Sequence, residues 1–253
     1  MLHIQSIATH HPDFYTQDYP FDGFAHDYIR NKAYRQALER SVSGKVVLDI
    51  GTGRDALLAK MAVECGASKV YAVEKKQWAY DCALVSIGDL PIELILGDAE
   101  YLELPEPVDA IVCDIFMGIA SWEGCIPALN HCLGFLKPGG VVIPEVAKTK
   151  VARYSLASDK IVGVNGIFED LPEVEDFEVL DMRSLPLAPS TGNLTLSGKS
   201  EGLLFWLELD FGQGLKLDTR LESTNWLNIY LPGSWESRAD IYATFTQLVT
   251  ASG

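Results

Sequence analysis

A short apolar run that leads into a glycine turn constrains this chain more than any other stretch. Residues 46–50 read Val-Val-Leu-Asp-Ile, which is typical of a strand that is covered on both faces of a parallel sheet. Gly51 and Gly53 follow, and glycines remove side chains where the backbone must turn sharply and approach a ligand. Apolar residues at helical spacing come next. The stretch therefore predicts a strand, a glycine turn and a helix.

A second predicted strand ends in an acid that suits a nucleoside. Residues 69–74 read Lys-Val-Tyr-Ala-Val-Glu, and Glu74 lies about 20 residues beyond the glycine turn. A carboxylate at this place accepts hydrogen bonds from two ribose hydroxyls. The turn lacks the third glycine that dinucleotide sites use, so a single nucleoside that carries an amino acid fits better. The combination favours a site for S-adenosylmethionine (SAM) over a purely structural turn.

Strands and helices alternate through the first half of the chain, and this order predicts a parallel sheet. The predicted strands are 46–50, 69–73, 92–96, 108–113 and 139–143, and the predicted helices between them are 55–65, 77–87 and 124–136. Ligands bind beyond the carboxyl ends of the strands in such sheets. We therefore expect an α/β Rossmann-like SAM methyltransferase domain.

Pro144 marks a change, because the chain beyond it predicts strands without clear helices. The predicted strands there are 148–157, 176–184, 194–199, 202–210 and 226–231. Before the sheet, residues 24–40 have the spacing of one helix, and residues 1–20 predict an irregular arm. We expect three parts: an N-terminal arm and helix (1–45), a SAM-binding Rossmann-like domain (46–144) and a small β-barrel or β-sandwich domain (145–253).

Charge and composition restrict the kinds of partner that the protein can have. The 253 residues carry a formal net charge of −15, which repels nucleic acids and anionic membranes and attracts a cationic substrate. No apolar run reaches the roughly 18 residues of a membrane helix, and the first residues lack a signal pattern. The five cysteines have neither zinc-ligand nor redox spacing. We therefore expect no metal site, no membrane and a cytoplasmic location.

Two acids bracket a mostly apolar loop after the fourth predicted strand. Asp114 follows that strand directly, and Glu123 closes the loop after Phe116, Met117 and Trp122. A pair of carboxylates in apolar surroundings is costly unless it faces a cation. The loop therefore predicts a site for a positively charged group.

These motifs, in this order, resemble those of the protein arginine N-methyltransferase family. The segments that carry the resemblance are 47–53, 71–75, 97–100, 114–127, 137–144 and 224–232, together with 21–26 and 28–34, which resemble the helix that covers the cofactor. The resemblance spans residues 21–235. It implies transfer of a methyl group from SAM to a guanidino nitrogen of arginine, with S-adenosylhomocysteine as the product.

The resemblance also implies a role for each matched residue. Glu123 would be the main holder of the guanidinium and Asp114 a second holder, with the proton acceptor open between them. Asn225 and Trp226 would close the substrate side, although core packing is an equal reading for Trp226. The implied cofactor-binding residues are Arg30 for the SAM carboxylate, Asp49, Gly51 and Gly53 at the turn, Glu74 for the ribose, and Asp98, Ala99 and Glu100 around the adenine.

Departures from the family pattern leave the substrate open. Asp114 replaces a glutamate, Asn225 replaces the histidine of the family's Thr-His-Trp loop, and residues 165–200 contain no stretch that resembles the dimerisation arm. The substrate could be arginine in a protein or peptide, or free arginine, and a homodimer is one candidate assembly. The alternatives are a small-molecule N- or O-methyltransferase of natural-product metabolism and a SAM-binding pseudoenzyme.

Overall fold

The computed structural model describes most of the chain beyond residue 21. The described residues are 22–158, 162–164, 166–184, 186–188, 191–194, 199–222, 224, 226–236, 239–243 and 248–251. Their α-helices are α1 (Asp22–His26), α2 (Tyr28–Glu39), α3 (Leu57–Glu64), α4 (Gln77–Ile87) and α5 (Cys125–Cys132). Their strands are β1 (Val46–Ile50), β2 (Lys69–Glu74), β3 (Ile92–Leu96), β4 (Val108–Cys113), β5 (Leu136–Ile143), β6 (Val146–Arg153), β7 (Val162–Val164), β8 (Glu175–Asp181), β9 (Thr191–Leu194), β10 (Lys199–Asp210), β11 (Lys216–Asp218), β12 (Asn228–Glu236), β13 (Ala239–Ala243) and β14 (Leu248–Ala251).

The first half of the chain forms a five-stranded parallel sheet with the order β3-β2-β1-β4-β5. Strands β1, β2 and β4 are buried along almost their whole length, as expected for strands covered by helices on both faces. The predicted strands 46–50, 92–96 and 108–113 and the predicted helix 77–87 match the structure to the residue. The predicted Rossmann-like sheet is therefore confirmed.

Several predicted boundaries in this half are wrong. The helices predicted for 55–65 and 124–136 are shorter in the structure, at Leu57–Glu64 and Cys125–Cys132. Two further differences have a local cause. The single helix predicted for 24–40 is two helices, because the carboxylate of Asp27 caps α2 by accepting a hydrogen bond from the Arg30 N–H at 2.9 Å. Strand β5 begins at Leu136, three residues before the predicted start at 139. Gly139 has a positive φ of 77°, and the pairing with β4 shifts register there, so the strand continues through a bulge.

The second half is built from antiparallel strands. A larger sheet has the order β7-β12-β10-β6-β8, with β11 paired to β10, and a three-stranded sheet has the order β14-β13-β9. Strand β10 pairs with β6 and β12, and its segment 203–207 is fully buried because alternate side chains enter hydrophobic clusters on the two faces of the sheet. The predicted strands 148–157, 176–184, 202–210 and 226–231 exist with shifted ends. The predicted arm at 1–20 and residues 195–198 of the predicted strand 194–199 lie outside the described residues.

Helix α2 connects the two halves. The Tyr34 ring meets the Phe211 ring edge-on with centroids 5.0 Å apart. The Arg40 guanidinium donates hydrogen bonds to the carbonyl oxygens of Phe211 and Gly212 at the end of β10. Within the described part of the chain, no helix is both long and apolar enough to cross a bilayer.

Candidate active site

The glycine turn lies at the carboxyl end of β1. Gly51 and Gly53 have positive φ angles of 73° and 68°, which favour glycine. The N–H groups of Gly51 and Thr52 both donate to the carbonyl oxygen of Val73 in β2 at 3.0 Å. A Cβ on Gly51 would lie 2.5 Å from the Ile115 Cγ2, so only glycine fits there. The turn is thus fixed to β2 and covered by the start of the loop that begins at Asp114.

Glu74 at the end of β2 lies beside this turn. Its buried carboxylate accepts hydrogen bonds from the N–H of Gly53 at 3.0 Å and from the N–H of Lys76 at 2.8 Å. These contacts fix the orientation of the carboxylate, and each oxygen keeps a lone pair for a further donor. Glu74 therefore occupies the place where the sequence predicts the ribose acceptor.

Asp49 lies near the end of β1, two residues before Gly51. Its carboxylate accepts a hydrogen bond from the Thr52 hydroxyl at 2.6 Å, which connects the strand to the turn that the sequence analysis expects it to brace. Burial raises the pKa of Asp49 to about 7, against the lowering effect of that hydrogen bond. The charge of Glu74 raises this pKa further and the charge of Arg30 lowers it, so the three side chains lie within one electrostatic neighbourhood.

The Arg30 guanidinium is buried on the inner face of α2. It forms an ion pair with the Asp114 carboxylate, and only 5% and 6% of the two side chains are exposed. Rings of Phe24, Tyr34 and Trp226 surround it, with centroids 5.3, 5.4 and 5.6 Å from the guanidinium carbon. Burial lowers the pKa of Arg30, although a guanidinium remains protonated in proteins. Arg30 thus lies at the site, with Asp114 as its partner.

Tyr34 is a site residue that the sequence analysis missed. Its hydroxyl donates to the Cys113 carbonyl oxygen at 2.8 Å and lies 3.3 Å from the Asp114 Oδ1. Burial raises the pKa of this hydroxyl well above its usual value, so it stays a neutral donor. One signal could have found it, since a tyrosine four residues after Arg30 shares its helix face.

The loop that begins at Asp114 ends on the second half of the molecule. Ile119 and Trp122 are buried in a hydrophobic cluster with side chains of the larger antiparallel sheet. The half-buried Glu123 follows with a φ of 63°, in the left-handed region. This conformation costs a non-glycine residue on the order of 1–3 kcal/mol and persists only where the surroundings impose it. The two acids therefore lie at two ends of a loop that spans both halves.

The predicted adenine-binding residues follow β3. Asp98 accepts a hydrogen bond from the Glu100 N–H at 3.1 Å and pairs with the Lys75 ammonium at 2.6 Å. Ala99 is buried, and the Gly97 N–H donates to the Glu74 carbonyl oxygen at 2.9 Å. The segment is thereby held against the end of β2. Asp98 itself is engaged in capping the short turn and in the ion pair with Lys75.

The two residues predicted on the substrate side have different outcomes. Asn225 lies outside the described residues. Trp226 is buried in the main core, which agrees with the packing reading, and its ring also faces Arg30, whereas its role on the substrate side stays a prediction. Among the residues that the structure describes, no group of three or more histidine, cysteine, aspartate or glutamate side chains could hold a metal ion.

Comparisons with known proteins show which proteins this chain resembles. A family model described as a methyltransferase domain matches residues 47–140. Protein arginine N-methyltransferase 6 of Xenopus tropicalis is 37% identical over 134 residues, which cover 50% of this chain and 39% of that protein. Histone-arginine methyltransferase CARMER of Drosophila persimilis is 31% identical over 157 residues, which cover 60% of this chain and 29% of that protein.

Solved structures extend the likeness to both halves of the fold. Arabidopsis thaliana protein arginine methyltransferase 10, solved in an open conformation, matches with a TM-score of 0.73 and 19% identity over 87% of this chain and 86% of that one. The Trypanosoma brucei PRMT1 enzyme–prozyme complex with AdoHcy matches with a TM-score of 0.70 and 18% identity over the same shares.

The sequence matches cover one part of each relative. The chain spans 39% and 29% of the lengths of the two curated relatives that it matches. The predicted resemblance is confirmed in sequence over half of the chain and in fold over 87% of it. The chain thus matches the methyltransferase domain over residues 47–140, and it is similar in sequence and in fold to protein arginine N-methyltransferases.

Proposed function

We propose that this chain is a SAM-dependent N-methyltransferase that acts on a guanidino nitrogen of arginine. One observation carries the proposal: Ile115, directly after Asp114, fills the space above Gly51, so the acidic loop starts on top of the glycine turn. A site that joins a cofactor turn to an acidic loop suits transfer to a cationic substrate. The relatives named as arginine methyltransferases support the same activity.

The residues around the turn fit SAM. Apart from the chain neighbours of Gly53, no residue that the structure describes has a heavy atom within 4 Å of its Cβ position, so a ligand has room beside the Glu74 carboxylate. We assign Glu74 to the two ribose hydroxyls, Arg30 to the amino-acid carboxylate, and the Ala99 N–H with Glu100 to the adenine. SAM, when bound, supplies a methyl group on a positively charged sulfur.

The two acids then have different tasks. A guanidinium is a poor nucleophile because its charge is delocalised and its pKa exceeds about 12. A carboxylate grips it through paired hydrogen bonds, and at about 4 Å the attraction is roughly 4 kcal/mol at an effective dielectric of 20. Because Asp114 is paired with Arg30, we propose Glu123 as the main holder of the substrate and Asp114 as the residue that orients Arg30.

The net charge and the cysteines support the substrate class and the cellular location that we propose. A formal net charge of −15 attracts a cationic substrate, either arginine in a peptide or free arginine. All five cysteines are free, and Cys113, Cys125 and Cys132 are buried. Free buried thiols suit a reducing compartment, so we propose a cytoplasmic location.

The test is methyl transfer from SAM to free arginine and to an arginine-rich peptide, measured by mass spectrometry. We expect one of the two to gain methyl groups. Glu123→Gln should reduce kcat by about 10²–10³-fold, because it removes one charged partner of the guanidinium. The exposed Glu103 provides a matched control, and Glu103→Gln should keep full activity.

Two outcomes would contradict the proposal. Unchanged turnover of Glu123→Gln on every guanidino compound would exclude the role of this acid. SAM binding by calorimetry without transfer to any guanidino compound would leave a methyltransferase for another substrate or a SAM-binding protein without activity.

A further inference from the structure

The far end of the acidic loop is held by a carboxylate that belongs to none of the sequence motifs. Glu178 lies on β8 and is 1% exposed. Its Oε2 accepts a hydrogen bond from the Ser121 N–H at 2.9 Å and one from the Thr149 hydroxyl at 3.2 Å. The Thr149 Oγ1 in turn accepts the Ala120 N–H at 2.8 Å. Two consecutive N–H groups of the loop are thus bound by two side chains of the antiparallel sheet.

A bulge in β8 directs this side chain toward the loop. Thr149 of β6 pairs with Glu178, whereas the next residue, Lys150, pairs with Asp176, so Phe177 is the extra residue. Phe177 and Glu178 are consequently both buried, which a regular alternation would not allow. Bulges often redirect a side chain next to an active site. The sheet is therefore locally reshaped to place a carboxylate under the loop.

The chemistry of the contact suits a rigid anchor. A buried carboxylate is costly, so its presence calls for a task beyond filling the sheet. Hydrogen bonds from which water is excluded are stronger than the same bonds in water. The anchor fixes the backbone at residues 120 and 121, directly before Trp122 and Glu123.

Glu123 needs such support. Its φ of 63° lies in the left-handed region, and a non-glycine residue keeps this conformation only when its surroundings enforce it. Trp122 on one side is buried among side chains of the antiparallel sheet. At the other end of the loop, Asp114 is held by Arg30 and Tyr34. The loop is therefore fixed at both ends, by α2 at one and by the antiparallel sheet at the other.

We propose that Glu178, together with Thr149, is a positioning residue that fixes the backbone from which Glu123 reaches the substrate. The consequence for catalysis rests on the proposed function. The anchoring of the loop itself does not, and it can be measured without any substrate.

The first experiment is hydrogen exchange of the full-length chain, read by mass spectrometry on peptides that cover residues 114–123. We expect Glu178→Ala to speed exchange at residues 120–122 by about tenfold or more, because the Ser121 N–H loses its acceptor. Glu178→Gln, which keeps one acceptor oxygen, should stay near the parent. Asp176→Ala is the matched control, since this exposed acid of the same strand pairs with Lys148 and Lys150 on the solvent side.

The second experiment measures kinetics with the arginine substrate. Glu178→Ala should lower kcat by about tenfold to a hundredfold through displacement of Glu123, with SAM affinity by calorimetry changed by less than about twofold. Glu178→Gln should recover most of the loss. Thr149→Val, which removes the acceptor of the Ala120 N–H and leaves Glu178 in place, gives a second test if Glu178→Ala does not fold.

Each result decides a separate point. Unchanged exchange at residues 120–122 in Glu178→Ala or Thr149→Val would overturn the inference, whatever the activity. Faster exchange throughout β1 and β2, with weaker SAM binding, would also overturn it by showing a general structural role. Faster exchange confined to the loop, without methylation of arginine by the parent protein, would support the anchor and refute the proposed function.

Discussion

Helix α2 carries two arginines whose ion pairs differ in their surroundings. Arg30 pairs with Asp114, and the two side chains are 5% and 6% exposed. Arg35 pairs with Glu64 at 2.7 Å, and these side chains are 42% and 59% exposed. The buried pair removes two charges from water, which costs more than their attraction returns in many proteins. The surface pair is solvated and screened, so it contributes little.

The two arginines differ in burial because they lie on different faces of α2. The buried face is the one that points to a functional site. Five residues along an α-helix correspond to a rotation of about 140°, so the two arginines face apart. Arg30 shares the buried face with Ala33, Tyr34, Ala37 and Leu38. An ion pair that is costly to bury and is placed beside the glycine turn is better explained by a site than by stability. Four predictions test this contrast.

The largest effect is expected for the buried pair. Asp114→Asn should reduce the free energy of unfolding by about 3–5 kcal/mol, because it leaves the Arg30 cation buried with its nearest charge removed. Urea denaturation of the parent and the variant measures the change. A loss below about 1 kcal/mol would mean that the pair behaves like a surface pair.

The double variant Arg30→Met with Asp114→Leu sharpens that result. Apolar side chains of similar size often replace a buried ion pair at little cost in stability. We expect the double variant to be nearly as stable as the parent and to have lost SAM binding. Retained SAM affinity would exclude Arg30 from the cofactor site.

A smaller effect is expected for the pH dependence around the buried pair. Burial raises the pKa of Asp49 to about 7, and the charge of Arg30 moderates this rise. The folded state therefore keeps a proton that the unfolded state releases, and the stability from this group is lost as the pH rises toward 7. Asp49→Asn has no carboxylate to titrate. Its free energy of unfolding, relative to that of the parent, should therefore be about 3 kcal/mol higher at pH 8 than at pH 5. Urea denaturation of both proteins at both pH values measures this difference. A difference in free energy of unfolding that is the same at pH 5 and pH 8 would refute the raised pKa of Asp49.

The smallest effect is expected on the outer face of α2. Arg35→Ala should change the free energy of unfolding by less than about 1 kcal/mol, and the change should shrink further in 1 M salt. SAM binding and methyl transfer should be unaffected. A larger cost in stability would show that exposure alone does not separate the two pairs.

Local patterns predicted the parallel half of the fold well. The buried runs at 46–50 and 108–113 were recognisable because strands covered on both faces need consecutive apolar residues. The acids after these strands were found because ligands gather at the carboxyl ends of parallel strands. Ends of strands in the antiparallel half were less accurate, since pairing with β6, β10 and β12 extends or shortens each strand.

Side chains that act through distant partners could not be predicted in this way. Glu178 reads as an ordinary acid in a strand, because the bulge that turns it inward depends on its pairing with β6. Tyr34 reads as a core residue of a helix, because its contact with Asp114 depends on where β4 ends relative to α2. Tyr34 shares the helix face of Arg30, which marks it as a candidate, but neither Tyr34 nor Glu178 carries a local signal of its distant partner.

The sequence by itself determined the parallel sheet, the glycine turn and the presence of two acids at a fixed spacing, because apolar periodicity and glycine placement act over a few residues. The tertiary structure decided which charges meet. Arg30 reaches Asp114 across 84 residues and Ser121 reaches Glu178 across 57, and both contacts are buried. The strength of such contacts depends on the exclusion of water, which packing of the two halves around one loop creates.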